Sequence, residues 1–150
     1  MILTSTAFQN GEAIPERYSC KEKNISPPLF WDDAPEGTLS FVIIADDPDA
    51  PMGTWVHWVY YNIPLHIHSL PENIKPVAAP DTGGTQGITS FGTPGYGGPC
   101  PPSGTHRYFF KLYALNDNLN LGKEADKKQV EKAMKGRILA EAELMGTFSR

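Results

Sequence analysis

The chain is short of cysteine, of net positive charge and of long apolar runs, and each shortage removes a class of protein. Two cysteines, Cys20 and Cys100, in 150 residues are too few for a disulfide framework or a structural zinc site. They read as two unpaired thiols in a reducing compartment, with a redox-sensitive pair as the alternative. The formal net charge is −4, so no basic face is available for nucleic acid or for an anionic membrane surface. No apolar stretch approaches the length of a membrane span, so no integral membrane segment is expected. The start, Met1-Ile2-Leu3-Thr4-Ser5-Thr6, has neither a basic segment nor a long apolar one, unlike a secretory leader. A cytoplasmic protein is the expectation. What remains is a chain of ordinary globular composition, 40% hydrophobic and 20% charged, long enough for one domain, residues 1–150, with a real core.

Glycine and proline are plentiful, and their placement matters. The segment Pro80 to Gly104 contains 13 of them in 25 residues, which forbids a helix or a long regular strand there. It also holds Phe91, Tyr96 and Cys100, so it reads as a long loop lying against the domain rather than a linker. The rest is mostly strand. Leu39 to Ala45 is a β-branched apolar run suited to burial on both faces. Trp55 to Ile63 is aromatic and β-branched and ends at Pro64. Arg107 to Leu115 alternates, with Tyr108, Phe110, Leu112 and Ala114 on one face. Ile138 to Phe148 fits both periods and is assigned as strand. One helix is expected over Gly122 to Gly136, with Ala125, Val130, Ala133 and Met134 as its apolar stripe and Gly136 as its C-cap. The fold class is therefore all-β: a sandwich of antiparallel sheets with one accessory helix.

Ionisable groups stand where a packed core would exclude them. Asp47-Pro48-Asp49-Ala50-Pro51 follows the most apolar strand. Asp49 reads as a turn residue, whereas Asp47 stands at the strand end. In Trp55-Val56-His57-Trp58, strand alternation puts Trp55 and His57 on one face and Val56 and Trp58 on the other. His106 and Tyr108 share a face of the strand after the glycine-rich loop. Arg107 points opposite and calls for a carboxylate, Asp47 or Asp49, in a buried or half-buried ion pair. His66 and His68 follow Pro64 in a polar loop and read as surface residues. Three chemistries compete for this set. His57, His106 and Asp47 could form a two-histidine, one-carboxylate metal triad for a metal-dependent enzyme, although their spacing is no recognised motif. Cys100 or Ser103 near His106 could serve as a nucleophile, but no Gly-x-Ser-x-Gly elbow is present. Histidine N–H groups, a tyrosine hydroxyl and loop N–H groups could hold a small anion.

Five ordered blocks carry a resemblance over almost the whole chain: Ile25-Ser26-Pro27-Pro28-Leu29-Phe30-Trp31, Asp47-Pro48-Asp49-Ala50-Pro51, Trp55-Val56-His57-Trp58, Gly95-Tyr96-Gly97-Gly98-Pro99-Cys100-Pro101-Pro102 and Gly104-Thr105-His106-Arg107-Tyr108. The chain resembles the phosphatidylethanolamine-binding protein family, also called the Raf kinase inhibitor protein family, and most of all its small bacterial branch. The resemblance implies a Greek-key β-sandwich with helix near the C-terminus. It also implies a cavity for an anion such as phosphate, acetate or a phosphoethanolamine head group, lined by Asp47, Pro48, Trp55, His57, Gly98, His106 and Tyr108. Asp49 and Arg107 would support the walls. It implies no catalytic reaction, no cofactor and no metal. A homodimer follows only by analogy with bacterial relatives. Eukaryotic members act on signalling kinases and some proteases, so the resemblance also implies a regulator of signalling or protease partners. The longer C-terminal helical extension of those members has no counterpart in this sequence, which argues against kinase regulation in particular.

Overall fold

The eight residues of Ser40–Asp47 are all buried, and the architecture follows from covering both faces of that strand. The computed structural model describes residues 1–150. In chain order the elements are β1 (Leu3–Thr4), β2 (Leu29–Trp31), β3 (Ser40–Asp47), β4 (Trp55–Pro64), β5 (Ser69–Leu70), β6 (Thr85–Gln86), β7 (Thr105–Leu115), α1 (Lys127–Met134) and β8 (Ile138–Ser149). Five of the strands form one sheet in the order β6-β4-β3-β7-β8, and the other three form a small sheet, β1-β2-β5. Every strand pairing is antiparallel. The all-β sandwich expected from the sequence is the fold the chain adopts.

The large sheet is apolar on both sides. Phe41, Ile43 and Ala45 of β3 join Tyr108, Phe110 and Leu112 of β7 in the main core, against Leu3, Leu29, Trp31 and Leu70 of the small sheet. Val42 and Ile44 point the other way, with Val59, Tyr61 and Tyr113, and are covered by Val130 and Met134 of α1 and by Leu119 and Ala125. A strand buried on both faces has no polar alternation to show, which explains the continuous apolar run.

The helix is shorter than its periodicity suggested. It starts after Asp126, whose side chain accepts the Gln129 N–H while the Gln129 side chain accepts the Asp126 N–H, a reciprocal cap. Residues 122–126 do not join it because the Ala125 carbonyl accepts from Ile88 N–H of the glycine-rich segment. Gly136, just past the end, has φ +79°, the left-handed conformation that favours glycine there.

The glycine-rich segment is a packed loop. Fully buried Gln86 ties it down: its Nε2 donates to the Lys75 and Val77 carbonyls, and its Oε1 accepts from Trp58 Nε1 at 2.7 Å. Farther along, Tyr96 Oη donates to the Tyr18 carbonyl. The two cysteines correct the expectation of free thiols: Cys20 and Cys100 form a disulfide across a sequence separation of 80, with an S–S distance of 2.06 Å. Both lie in loops, so their proximity is a property of the whole fold and not of any local pattern.

Candidate functional site

At one end of the main core the alternation of β7 continues past Phe110 to Tyr108 and His106, and that of β3 past Ala45 to Asp47. No partner sheet covers these last residues. They open instead onto a cavity of about 200 Å³ whose wall is completed by Trp55, His57, Phe91, Cys100, Pro101 and Pro102, with Ala50 and Pro51 at the turn after β3.

His57 reaches this cavity through a β-bulge. The register between β3 and β4 shifts between Ala45, opposite Trp58, and Asp46, opposite Val56. His57 is the extra residue. Two successive side chains, His57 and Trp58, therefore project to the main-core side of the sheet, while Val56 packs toward the helix side. Simple alternation had placed Val56 and Trp58 together; the bulge separates them. Without it, Trp58 could not fill the core while His57 lines the cavity.

The histidines are oriented by different acceptors. Asp47 Oδ2 lies 2.7 Å from His106 Nδ1, and Asp47 Oδ1 accepts the Asp49 N–H at 2.7 Å. A carboxylate can only accept, so His106 carries its hydrogen on Nδ1. The Gly97 carbonyl lies 2.6 Å from His57 Nδ1, and by the same reasoning that nitrogen is protonated. Each ring thus keeps Nε2 free. Burial lowers the His57 pKa below its ordinary value, outweighing the Gly97 hydrogen bond, the charges of Asp47 and Asp46 and a weaker influence of the Gly98 backbone. Burial also raises the Tyr108 phenol well above its usual range, with help from Asp47 and Asp49, so its hydroxyl keeps its proton.

His57, His106 and Tyr108 are only 5%, 7% and 2% exposed. The two Nε2 atoms and Tyr108 Oη have no hydrogen-bond partner in the protein. None is sealed off either, since Trp31 Nε1 is the single fully buried side-chain polar atom left without a partner. Three nearly buried side chains therefore keep polar atoms open to one small cavity. The rings are in contact: His57 and Tyr108 meet edge to face with centroids 5.2 Å apart, and His106 and Tyr108 stack at 6.4 Å.

Other expected site residues fall elsewhere. Pro48 does not line the cavity; it faces a shallow groove with Asp46, Thr54, Phe109 and Lys111. Gly98 is a packing residue: its N–H is already donated to Asn24 Oδ1 at 2.8 Å. A Cβ there would sit 2.2 Å from the Tyr18 carbonyl oxygen, which requires glycine for close approach. Arg107 pairs with Asp49, through Nε and Nη2 at 2.9 Å each, and its backbone N–H joins them. The pair is half-buried, with side chains 52% and 30% exposed, which is the looser of the two arrangements the sequence allowed. The arginine holds the Asp49 carboxyl down at about 2. His66 and His68 are exposed, as read.

The chain matches the family model for phosphatidylethanolamine-binding protein over residues 4–149. The chain belongs to the phosphatidylethanolamine-binding protein family. Among its relatives, a UPF0098 protein of Aquifex aeolicus is 51% identical, covering 100% of this chain and 89% of that protein. One from Methanothermobacter thermautotrophicus is 49% identical, covering 100% and 99%. A solved structure of a putative phosphatidylethanolamine-binding protein homologue of Chlamydia trachomatis superposes with a TM-score of 0.90 at 41% identity, covering 99% of this chain and 96% of that one. E. coli YbcL, described as a member of the mammalian family, gives 0.90 at 32% identity, covering 99% and 98%.

Within the fold of this family, the metal triad is not favoured. No group of three His, Cys, Asp or Glu side chains is placed to hold a metal ion, and the Asp47 oxygens are already engaged by His106 and the Asp49 N–H. Cys100, considered as a nucleophile, is tied up with Cys20. The wall residues that sequence reasoning missed are Ala50, Pro51, Phe91 and the Pro101-Pro102 pair. Phe91 packs edge to face on both Trp55 and His57, at 5.5 and 5.4 Å. Its only signal was that Phe91 is one of two aromatic residues in a loop rich in glycine and proline.

Proposed function

We propose that this protein binds a small oxyanion, free phosphate or the phosphate of a phosphoethanolamine head group, in the cavity between β3, β4 and β7. The observation that carries the proposal is the convergence of three unpartnered polar atoms, His57 Nε2, His106 Nε2 and Tyr108 Oη, on a space of about 200 Å³. These atoms are held in fixed positions at a cavity that solvent reaches, and a ligand that can both donate and accept hydrogen bonds is able to pair with them in place of water. Family membership supports the same reading. Tyr108 would donate its hydroxyl hydrogen. His106, whose Nδ1 hydrogen is held by the Asp47 carboxylate, would donate to the anion from Nε2 only as the imidazolium, and that carboxylate would compensate the charge. Trp55, Phe91, Pro101 and Pro102 would close the walls and keep bulk water from competing. The arrangement supplies binding groups but no activated nucleophile, so a binding protein fits it better than a hydrolase.

The test is a phosphate titration followed by NMR. Wild-type protein should show saturable shifts of His57, His106 and Tyr108 signals, and His57→Ala and His106→Ala should each weaken binding at least about tenfold. Unchanged affinity in both variants would remove the cavity from the account.

A further inference from the structure

We infer that His57 reads a hydrogen on the ligand, so that the cavity selects oxyanions which retain a hydroxyl at neutral pH, such as hydrogen phosphate, over those that have none, such as sulfate. The inference rests on the anion-binding reading above and deepens it. Its basis is the direction of one hydrogen bond. The Gly97 carbonyl, 2.6 Å from His57 Nδ1, can only accept, so the ring hydrogen of the neutral imidazole is held on Nδ1 and Nε2 presents a lone pair to the cavity. The carbonyl is itself fixed: Gly97 N–H donates back to the His57 carbonyl at 2.9 Å. A Cβ on Gly97 would lie 2.4 Å from the Phe91 ring, so the backbone sits in close contact with the loop. The ring therefore has little freedom to flip and exchange its nitrogens.

The charged and titratable groups around His57 come from two strands. Asp46 and Asp47 of β3 act on it through charge, and both favour protonation, but burial opposes them and prevails. His106 and Tyr108 approach from β7. The loop contributes Phe91, Cys100, Pro101 and Pro102, none of which titrates here because Cys100 is in a disulfide. With His57 neutral, a ligand oxygen that is only an acceptor would meet lone pair against lone pair. A ligand P–OH would instead donate to Nε2 while its other oxygens accept from Tyr108. The two sides of the cavity thus ask for opposite hydrogen-bonding character in one ligand.

Hydrogen phosphate and sulfate both carry two negative charges and are nearly the same size, so their comparison isolates the hydrogen once the share of dihydrogen phosphate near pH 7.5 is allowed for. Calorimetric titration of wild-type protein at pH 7.5 should give phosphate at least about tenfold tighter than sulfate. The gap should close as the pH falls and His57 gains a hydrogen on Nε2. In His57→Gln, whose amide can offer either a donor or an acceptor, it should shrink to within about threefold. Equal affinities for the two anions at pH 7.5 would overturn the inference and leave anion binding standing. Failure of both anions to bind at millimolar concentration would overturn the anion-binding reading and this inference together.

Discussion

Asp47 organises the cavity through its two oxygens: one fixes the tautomer of His106 and the other ties the turn at Asp49 back onto the strand end. Its own burial, 3% exposed, makes the carboxylate a strong partner and a costly one to leave unpaired. In Asp47→Asn an amide oxygen can still accept from His106 Nδ1, but no charge stands behind the ring when an anion enters. Phosphate affinity should fall about tenfold or more while the fold is retained, as read by calorimetry and circular dichroism. Affinity equal to wild type would mean that Asp47 is structural only. The sequence pointed to Asp47, His57, His106 and Tyr108 because ionisable groups flanked apolar strands. It misplaced Pro48 and Gly98, since their motif neighbours line the cavity while they themselves turn or pack. No composition rule separates a glycine that faces a ligand from one that faces a carbonyl 2.2 Å from where its Cβ would be.

The strands were legible for the same physical reason throughout: β3, β4, β7 and β8 carry long β-branched or alternating runs whose burial defines them. The bulge at His57 and the start of α1 were not legible. A bulge is decided by what two neighbouring strands must each bury, and the helix start by a cap and a loop contact at Ala125. The loop from Pro80 to Gly104 was recognisable as irregular, but its anchoring to the segment near Cys20 was not. That anchoring consists of the disulfide and three hydrogen bonds: Cys20 N–H to the Pro99 carbonyl, Gly98 N–H to Asn24 Oδ1 and Tyr96 Oη to the Tyr18 carbonyl. Closing a chain segment of this length stabilises the fold by about 4.5 kcal/mol on the chain-entropy account. Reduction should therefore lower the melting temperature by roughly 9–18 °C, measured by calorimetry with and without dithiothreitol. Because Cys100 lines the cavity, reduction should also weaken phosphate binding. A melting temperature that does not move on verified reduction would show that the hydrogen bonds alone hold the loop.

For the folded chain as a whole, the neutral buried His57 makes stability depend on pH. Its pKa is lowered on folding, so below about pH 6.5 the unfolded chain takes up a proton that the folded chain refuses. The contribution is fully present above the unfolded value and is lost as the pH falls below it toward the folded value. Urea unfolding of wild-type protein should show stability declining from pH 7 to pH 5, with the decline reduced in His57→Gln. Parallel slopes in the two proteins would assign the pH dependence to other groups. Phosphate should oppose the decline, because a ligand that binds only the folded form adds stability by mass action. The sandwich, with its central sheet covered on both faces, holds β3, β4 and β7 rigid and leaves their ends uncovered at one place. If the polar atoms left open there hold an oxyanion, a crystal structure determined in phosphate near neutral pH will show it. The predicted result is a phosphate in the cavity with oxygens within hydrogen-bond distance, about 2.7–3.1 Å, of His57 Nε2, His106 Nε2 and Tyr108 Oη. Ordered water at those three atoms, with phosphate absent or bound only elsewhere, would contradict it.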